Sequence, residues 1–211
     1  MIPNLNKYHL TVINGSKGSG KTTLLIWMLL HDSMGLKNEY DKIYFICPTF
    51  KLCPLYAHID LPANQIKDEY DNEFIAKLLE HQKRNNEEEV LLILDDCVGE
   101  KDFKSLDGNH PLNHLATIHR HLRISVIILG QKFSLMSTTI RANMSYAFVF
   151  YTGNRREREA IYNEIGVGSF KEFNKVLEYV FDDRHSFMFW DGNDLVFHKG
   201  FKPLSVKYNC E

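Results

Sequence analysis

Short apolar runs recur along most of the chain, each followed by a polar stretch of loop or helix length. They are "HLTVIN" (9–14), "KIYFIC" (42–47), "VLLILD" (90–95), "ISVIILG" (124–130) and "YAFVFYT" (146–152). Each is nearly all apolar rather than alternating. An uninterrupted run suits a strand covered on both faces, as in a parallel sheet wrapped by helices. Helices are predicted over 21–31, over 71–83, where Phe74, Leu78 and Leu79 keep helical spacing, and over 111–122. Strand and helix alternating in this way predict a doubly wound α/β domain with a mainly parallel central sheet.

Beyond Thr152 the texture changes. "NRREREAIYNEIG" and "SFKEFNKVLEYVF" read as two short helices separated by Gly166 and Gly168. "HSFMFWDGNDLVFHKG" reads as a hairpin turning at Asp191-Gly192-Asn193-Asp194. The expectation is one domain over 1–211, with a core at about 8–152 and a small helix–hairpin elaboration at about 153–211. There is no internal repeat or low-complexity tract, and "NNEEEV" (85–90) fits a solvated loop before a strand.

Composition changes this picture in two places. Hydrophobic residues are 44% and charged residues 25%, ordinary for a globular domain of 211 residues, but the formal net charge is −2. A polyanion therefore has to be met by a local basic surface or by a ring of assembled subunits. Cys47, Cys53, Cys97 and Cys210 form neither a C-x-x-C pair nor a zinc-ligand spacing. Cys47 and Cys97 close apolar runs and read as buried thiols, which favours a reducing compartment. The start "MIPNLNKYHL" lacks signal-peptide features, and the longest apolar run, "LLIWMLL", falls far short of a membrane span. A soluble intracellular protein is expected.

The candidate chemistry begins after the first strand. Gly15 to Thr22 reads G-S-K-G-S-G-K-T, the full G-x-x-x-x-G-K-[ST] phosphate loop, set between a buried strand and a helix as that chemistry requires. Gly15, Gly18 and Gly20 let backbone N–H groups converge on phosphate oxygens, and the helix N-terminus adds a favourable dipole. Lys21 neutralises β- and γ-phosphate charge, and the Thr22 hydroxyl is a magnesium ligand. The nucleotide-binding stretch is Gly15, Ser16, Lys17, Gly18, Ser19, Gly20, Lys21, Thr22 and Thr23. Lys17 and Ser19 hold variable positions, where solvent exposure or backbone-only contact is the bland alternative.

A partner carboxylate is expected at the end of a buried strand beside the first. "VLLILDD" supplies Asp95 to hold Mg2+ and Asp96 to polarise the attacking water as general base. A turn cap is the plainer account of two adjacent acids. "KIYFIC" lies between the loop and the acidic strand along the chain. That spacing favours the branch of P-loop proteins with an extra strand inserted between those two in the sheet. Their third element is a polar residue after the next strand, here Gln131, placed to sense the γ-phosphate.

"GSKGSGKT", "LLILDDC" and "RHLRISVIILGQKFSLMSTTIRAN" together resemble the DNA-packaging ATPases of poxviruses and other large double-stranded DNA viruses and virophages, within the FtsK–HerA group of ring-forming translocases. The resemblance covers roughly 9–152. It implies an ATP-driven motor that works as a homo-oligomeric ring and moves double-stranded DNA into a preformed capsid. A capsid or portal vertex protein is then a partner, and the location is the host cytoplasm, a viral factory or the virion. By matched position Lys21 and Thr22 are the phosphate and metal residues, Asp95 the metal acid, Asp96 the base and Gln131 the sensor. Many members of the wider group carry glutamate where Asp96 stands. Ring ATPases usually complete each site with a neighbour's arginine. Arg120, Arg123, Arg141, Arg155 and Arg156 are candidates, with Arg120 and Arg141 preferred and surface ion pairs the alternative. "QKFSLMSTTIRAN" suits phosphate contacts along a pore, or a solvated loop, and nothing in it reads base edges.

Three other readings compete. Asp96-Cys97-Val98-Gly99 also satisfies the D-x-x-G of a GTPase, but no N-K-x-D or T-K-x-D element follows to read guanine. A P-loop kinase needs an arginine-bearing lid and an acceptor pocket. A non-catalytic nucleotide-binding assembly subunit would keep the loop and lack turnover.

Overall fold

The computed structural model describes residues 5–97 and 110–205. In chain order the elements are β1 (Leu10–Asn14), α1 (Lys21–Leu30), β2 (Lys42–Ile46), β3 (Ile66–Lys67), α2 (Asn72–Arg84), β4 (Val90–Asp95), α3 (Pro111–Ile118), β5 (Ile124–Gly130), α4 (Thr138–Asn143), β6 (Tyr146–Phe150), α5 (Arg155–Ile165), α6 (Phe170–Val180), β7 (Phe187–Asp191), β8 (Val196–Lys199) and β9 (Lys202–Pro203). The strands form one nine-stranded sheet in the order β3-β2-β4-β5-β1-β6-β7-β8-β9. The pairs from β3 through β6 are parallel, and β7 to β9 are antiparallel.

The apolar runs are continuous because both faces are covered. Side chains alternate across each strand. Val12, Leu92, Leu94, Val126, Ile128, Ala147 and Val149 point to a core shared with α2, α3, α5 and α6. Ile13, Phe45, Leu91, Ile93, Ile127, Leu129 and Phe148 point the other way, against α1 and the segment carrying Tyr56 and Ile59. In α2, Ile75, Leu78, Leu79 and Gln82 are buried. The Gln82 side chain donates to the carbonyls of Glu88 (2.9 Å) and Leu122 (3.0 Å), tying the helix to the approaches of β4 and β5. Asn154 caps α5, and Ser169 with Glu172 forms a capping box on α6.

Several expectations need correction. The acidic strand does not lie beside β1, because β5 stands between them. The inserted strand is thus the one ending before Gln131, and β2 lies outside β4. The helix expected over 111–122 is α-helical only to Ile118 and tightens to a 3₁₀ turn over His119–Leu122. The C-terminal hairpin is part of the main sheet, with β7 pairing directly with β6. Residues 47–66 fold as successive 3₁₀ turns leading to the edge strand β3, which carried no sequence signal. Cys47 and Cys97 are buried thiols as expected. Val98, Gly99 and Cys210 lie outside the described residues. Among the described residues no helix is long and apolar enough to cross a membrane.

Candidate nucleotide site

Parallel register brings the carboxyl ends of three strands to one edge. Asn14 stands opposite Gly130 and Asp95 opposite Leu129, so the residues that follow β1, β4 and β5 emerge together. The Gly15 amide donates to the Gly130 carbonyl at 3.1 Å, anchoring the loop to that edge. Crevices outside the carboxyl ends of parallel strands are the usual binding place in open α/β sheets.

The glycines answer specific demands. Gly18 and Gly20 have φ of 76° and 108°, which L side chains rarely adopt. A methyl group on Gly15 would lie 2.6 Å from Ser19 Oγ and 2.7 Å from Phe150 Cβ, so the loop packs tightly on the tip of β6. Lys21 opens α1, and its ammonium donates to the loop's own carbonyls at Gly15 (2.7 Å) and Ser16 (3.0 Å). Burial lowers the Lys21 pKa, while Asp95 and Asp96 oppose that shift. Ser16, Lys17, Gly18 and Thr23 are exposed, whereas Ser19 is buried with its hydroxyl unpartnered.

The two acids differ in setting. Asp95 is 6% exposed, and burial raises its pKa, partly offset by a short hydrogen bond from the Tyr56 hydroxyl. Thr22 lies beside the same hydroxyl, so the predicted metal residues are neighbours. Asp96 is exposed, with φ of 57°, and its carboxylate accepts from Gln131 Nε2 at 3.1 Å. Asp96 and Gln131, expected as base and sensor, are therefore joined by a hydrogen bond and come from the ends of adjacent strands.

A hydroxyl and a carboxylate are hard oxygen donors. Among the described residues no group of three His, Cys, Asp or Glu side chains forms a protein metal cage. That donor set fits Mg2+, which is commonly held by one or two side chains together with substrate phosphates.

A cleft of about 650 Å³ opens from the loop, with Lys21, Thr22 and Thr23 on one side and Trp27, Leu55, Phe150, His185, Phe187 and Phe201 on the others. Sequence reasoning missed these walls. They come from α1, the 3₁₀ segment, β6 and the C-terminal hairpin, whose convergence no local pattern encodes. Tyr56 was missed for the same reason.

The candidate arginines are elsewhere. Arg120 is exposed beyond the amino end of β5 and donates to Ser145 Oγ at 3.1 Å. Arg141 is 14% exposed, paired with Glu164 at 3.2 Å and set over the Phe133 ring. Arg123 bonds Tyr8 and Glu89, Arg155 pairs with Glu159, and the Arg156 side chain is exposed. None of them touches its own chain's phosphate loop in the contacts described.

The inserted strand, the glycine loop and the acid pair define a P-loop NTPase fold. The chain belongs to the family described as the poxvirus A32 protein, whose model matches residues 4–186. It is similar to "Uncharacterized protein 075L" of Invertebrate iridescent virus 6, 29% identical over an aligned length of 168 residues, with 74% of this chain and 60% of that protein covered. The chain thus matches less than two thirds of that relative's length. Among solved structures it resembles the genome packaging NTPase B204 from Sulfolobus turreted icosahedral virus 2 in complex with AMPPCP, at TM-score 0.70 and 16% identity, covering 92% of this chain and 97% of that one. It also resembles B204, the DNA-packaging ATPase from Sulfolobus Turreted Icosahedral Virus, at TM-score 0.66 and 19% identity, covering 92% and 97%.

Proposed function

We propose that this chain is a magnesium-dependent ATPase that drives double-stranded DNA, without sequence preference, into a viral capsid as a homo-oligomeric ring. The observation that carries the reading is the convergence of Lys21, Asp95, Asp96 and Gln131 at one sheet edge around an open phosphate loop. Family membership and the names of the structural relatives support the packaging role.

In this reading the base lies along the aromatic walls of the cleft and the phosphates lie on the loop amides. Mg2+ held by Thr22 and Asp95 would neutralise charge developing between the β- and γ-phosphates. Lys21 gives up its carbonyl partners for phosphate oxygens. Asp96, oriented by Gln131, takes a proton from the attacking water. Among the described residues that line the cleft there is no carboxylate to accept from guanine's N–H groups, which favours ATP over GTP. Arg120 is the candidate to complete a neighbour's site, since it is exposed at the opposite sheet edge. Arg141 would first have to leave Glu164. A capsid or portal vertex protein is the expected docking partner.

The test is phosphate release with and without duplex DNA, alongside mass by light scattering. Stimulated hydrolysis by an oligomer is expected. Hydrolysis indifferent to DNA at every salt concentration would refute translocation. A parent chain that binds nucleotide without turnover would leave the assembly-subunit reading standing.

A further inference from the structure

The turn that leads into β7 rests on the phosphate loop of its own chain. The turn is internally braced. The Ser186 amide donates to the Asp183 carbonyl (3.1 Å), the Asp183 amide to Ser186 Oγ (3.2 Å) and the His185 amide to Asp183 Oδ1 (2.9 Å). It is also docked, because His185 Nδ1–H donates to the Ser19 carbonyl at 3.1 Å. A methyl group on Gly20 would stand 3.6 Å from His185 Nδ1, and one on Gly18 only 3.4 Å from Arg184 Nη2.

Arg184 therefore brings a guanidinium nitrogen close to Gly18 of the phosphate loop. The acids next to it in sequence are engaged elsewhere: Asp182 pairs with Lys199 at 2.5 Å and accepts from Ser186 Oγ at 2.9 Å, while Asp183 caps the turn. Arg184 is exposed and makes no ion pair among the described residues. With Lys17 and Lys21 it puts three cations around one glycine loop, and an unpaired guanidinium in that place is suited to fork onto phosphate oxygens.

We infer that Arg184 is a nucleotide-contacting residue that binds the β- or γ-phosphate held by its own subunit's loop. The inference rests on the reading that the loop binds ATP. Phosphoryl-transfer enzymes take such an arginine either from the same chain or from a partner, and this one is in place without a partner. It also gives the C-terminal hairpin a part in the phosphate site, beyond forming a wall of the cleft.

Calorimetric titration with ATPγS, ADP and AMP tests this on the parent chain, Arg184→Ala, Arg184→Lys and Lys21→Ala. Arg184→Ala is expected to weaken ATPγS about tenfold, the size of one charge-assisted hydrogen bond, and to leave AMP within about twofold. ADP is weakened as much for a β-phosphate contact and not at all for a γ-phosphate contact. Arg184→Lys recovers part of the loss, since it restores the charge without the fork. The side chain is exposed, so an unchanged melting temperature is expected. Three results overturn the inference: equal ATPγS affinity in Arg184→Ala and the parent, AMP weakened as much as ATPγS, or affinity restored on mixing Arg184→Ala with Lys21→Ala subunits, which would place the contact across an interface. Loss of binding in Lys21→Ala alone, with Arg184→Ala unaffected, leaves the nucleotide reading intact and removes only this residue. A parent chain that binds none of the three ligands removes both.

Discussion

The two edges of the parallel sheet spend their polar groups differently. At the amino edge most are paired with one another, although Gln82 Oε1 is buried without a partner. Thr11, His9, Tyr40 and Ser125 form one chain of hydrogen bonds, with Thr11 Oγ1 2.8 Å from His9 Nδ1 and the Tyr40 hydroxyl donating to Ser125 Oγ at 2.8 Å. His119 donates to the Ile124 carbonyl at 3.1 Å, and Gln82 bonds two further carbonyls. At the carboxyl edge the groups are left open: the Ser19 hydroxyl is buried without a partner, and Asp96 with Gln131 faces solvent. Buried polar groups are ordinarily satisfied, so the open Ser19 hydroxyl within a glycine loop suits the arrival of a ligand there. The sheet ties most of its polar groups together at one end and presents the candidate nucleotide site at the other.

That division predicts which substitutions change turnover and which change stability. Asp96→Asn should lower phosphate release by about 10²–10⁴-fold, the usual contribution of a general base, while ATPγS affinity stays near that of the parent. A loss of affinity equal to the loss of rate would show that Asp96 binds rather than catalyses. Gln82→Ala, at the other edge, should cost about 2–3 kcal/mol in denaturant unfolding, because two carbonyls lose their donor, and leave nucleotide affinity unchanged. Gly15→Ala crosses the division. Its methyl group meets Phe150 and Ser19, so about 1–3 kcal/mol of overpacking should appear together with weaker ATPγS binding.

The smallest effect concerns pH. Burial pushes His9 down to about 3 and His119 down to about 4, with the other histidine or Arg120 adding to the shift. The unfolded chain protonates both near the ordinary value of 6.5, whereas the folded protein keeps them neutral. The unfolded state thus binds more protons below that pH. The histidines' contribution is fully present above about 6.5 and is lost as pH falls toward 4 and then 3. Melting temperature followed across this window should fall less steeply in His9→Gln than in the parent.

Much of the carboxyl edge was legible in the sequence, because phosphate chemistry uses contiguous residues. Gly15 to Thr22 and the Asp95–Asp96 pair each announce themselves within one strand–loop junction. The strands β4 and β5 were also readable to the residue, since continuous burial leaves an unbroken apolar run. Sheet order was less legible: chain order places β2 before β4, yet β5 is the strand that enters between β1 and β4. Tyr56, Trp27, Phe187 and Arg184 were illegible. Each comes to the site from a distant element, and Tyr56 lies among 3₁₀ turns without a periodic pattern. The preference for Arg141 followed its place after the sensor strand, which gives no sign that Glu164, from a later helix, neutralises it.

Lys21 keeps its ammonium on the carbonyls of Gly15 and Ser16. The loop is therefore braced in shape by the same side chain that the proposed function assigns to phosphate binding. Under the proposed function an arriving triphosphate would displace an internal tenant instead of meeting a bare cation, and its affinity would reflect the difference between two sets of bonds. In that reading, release after hydrolysis would have a ready destination for the charge, since the Gly15 and Ser16 carbonyls lie within its reach.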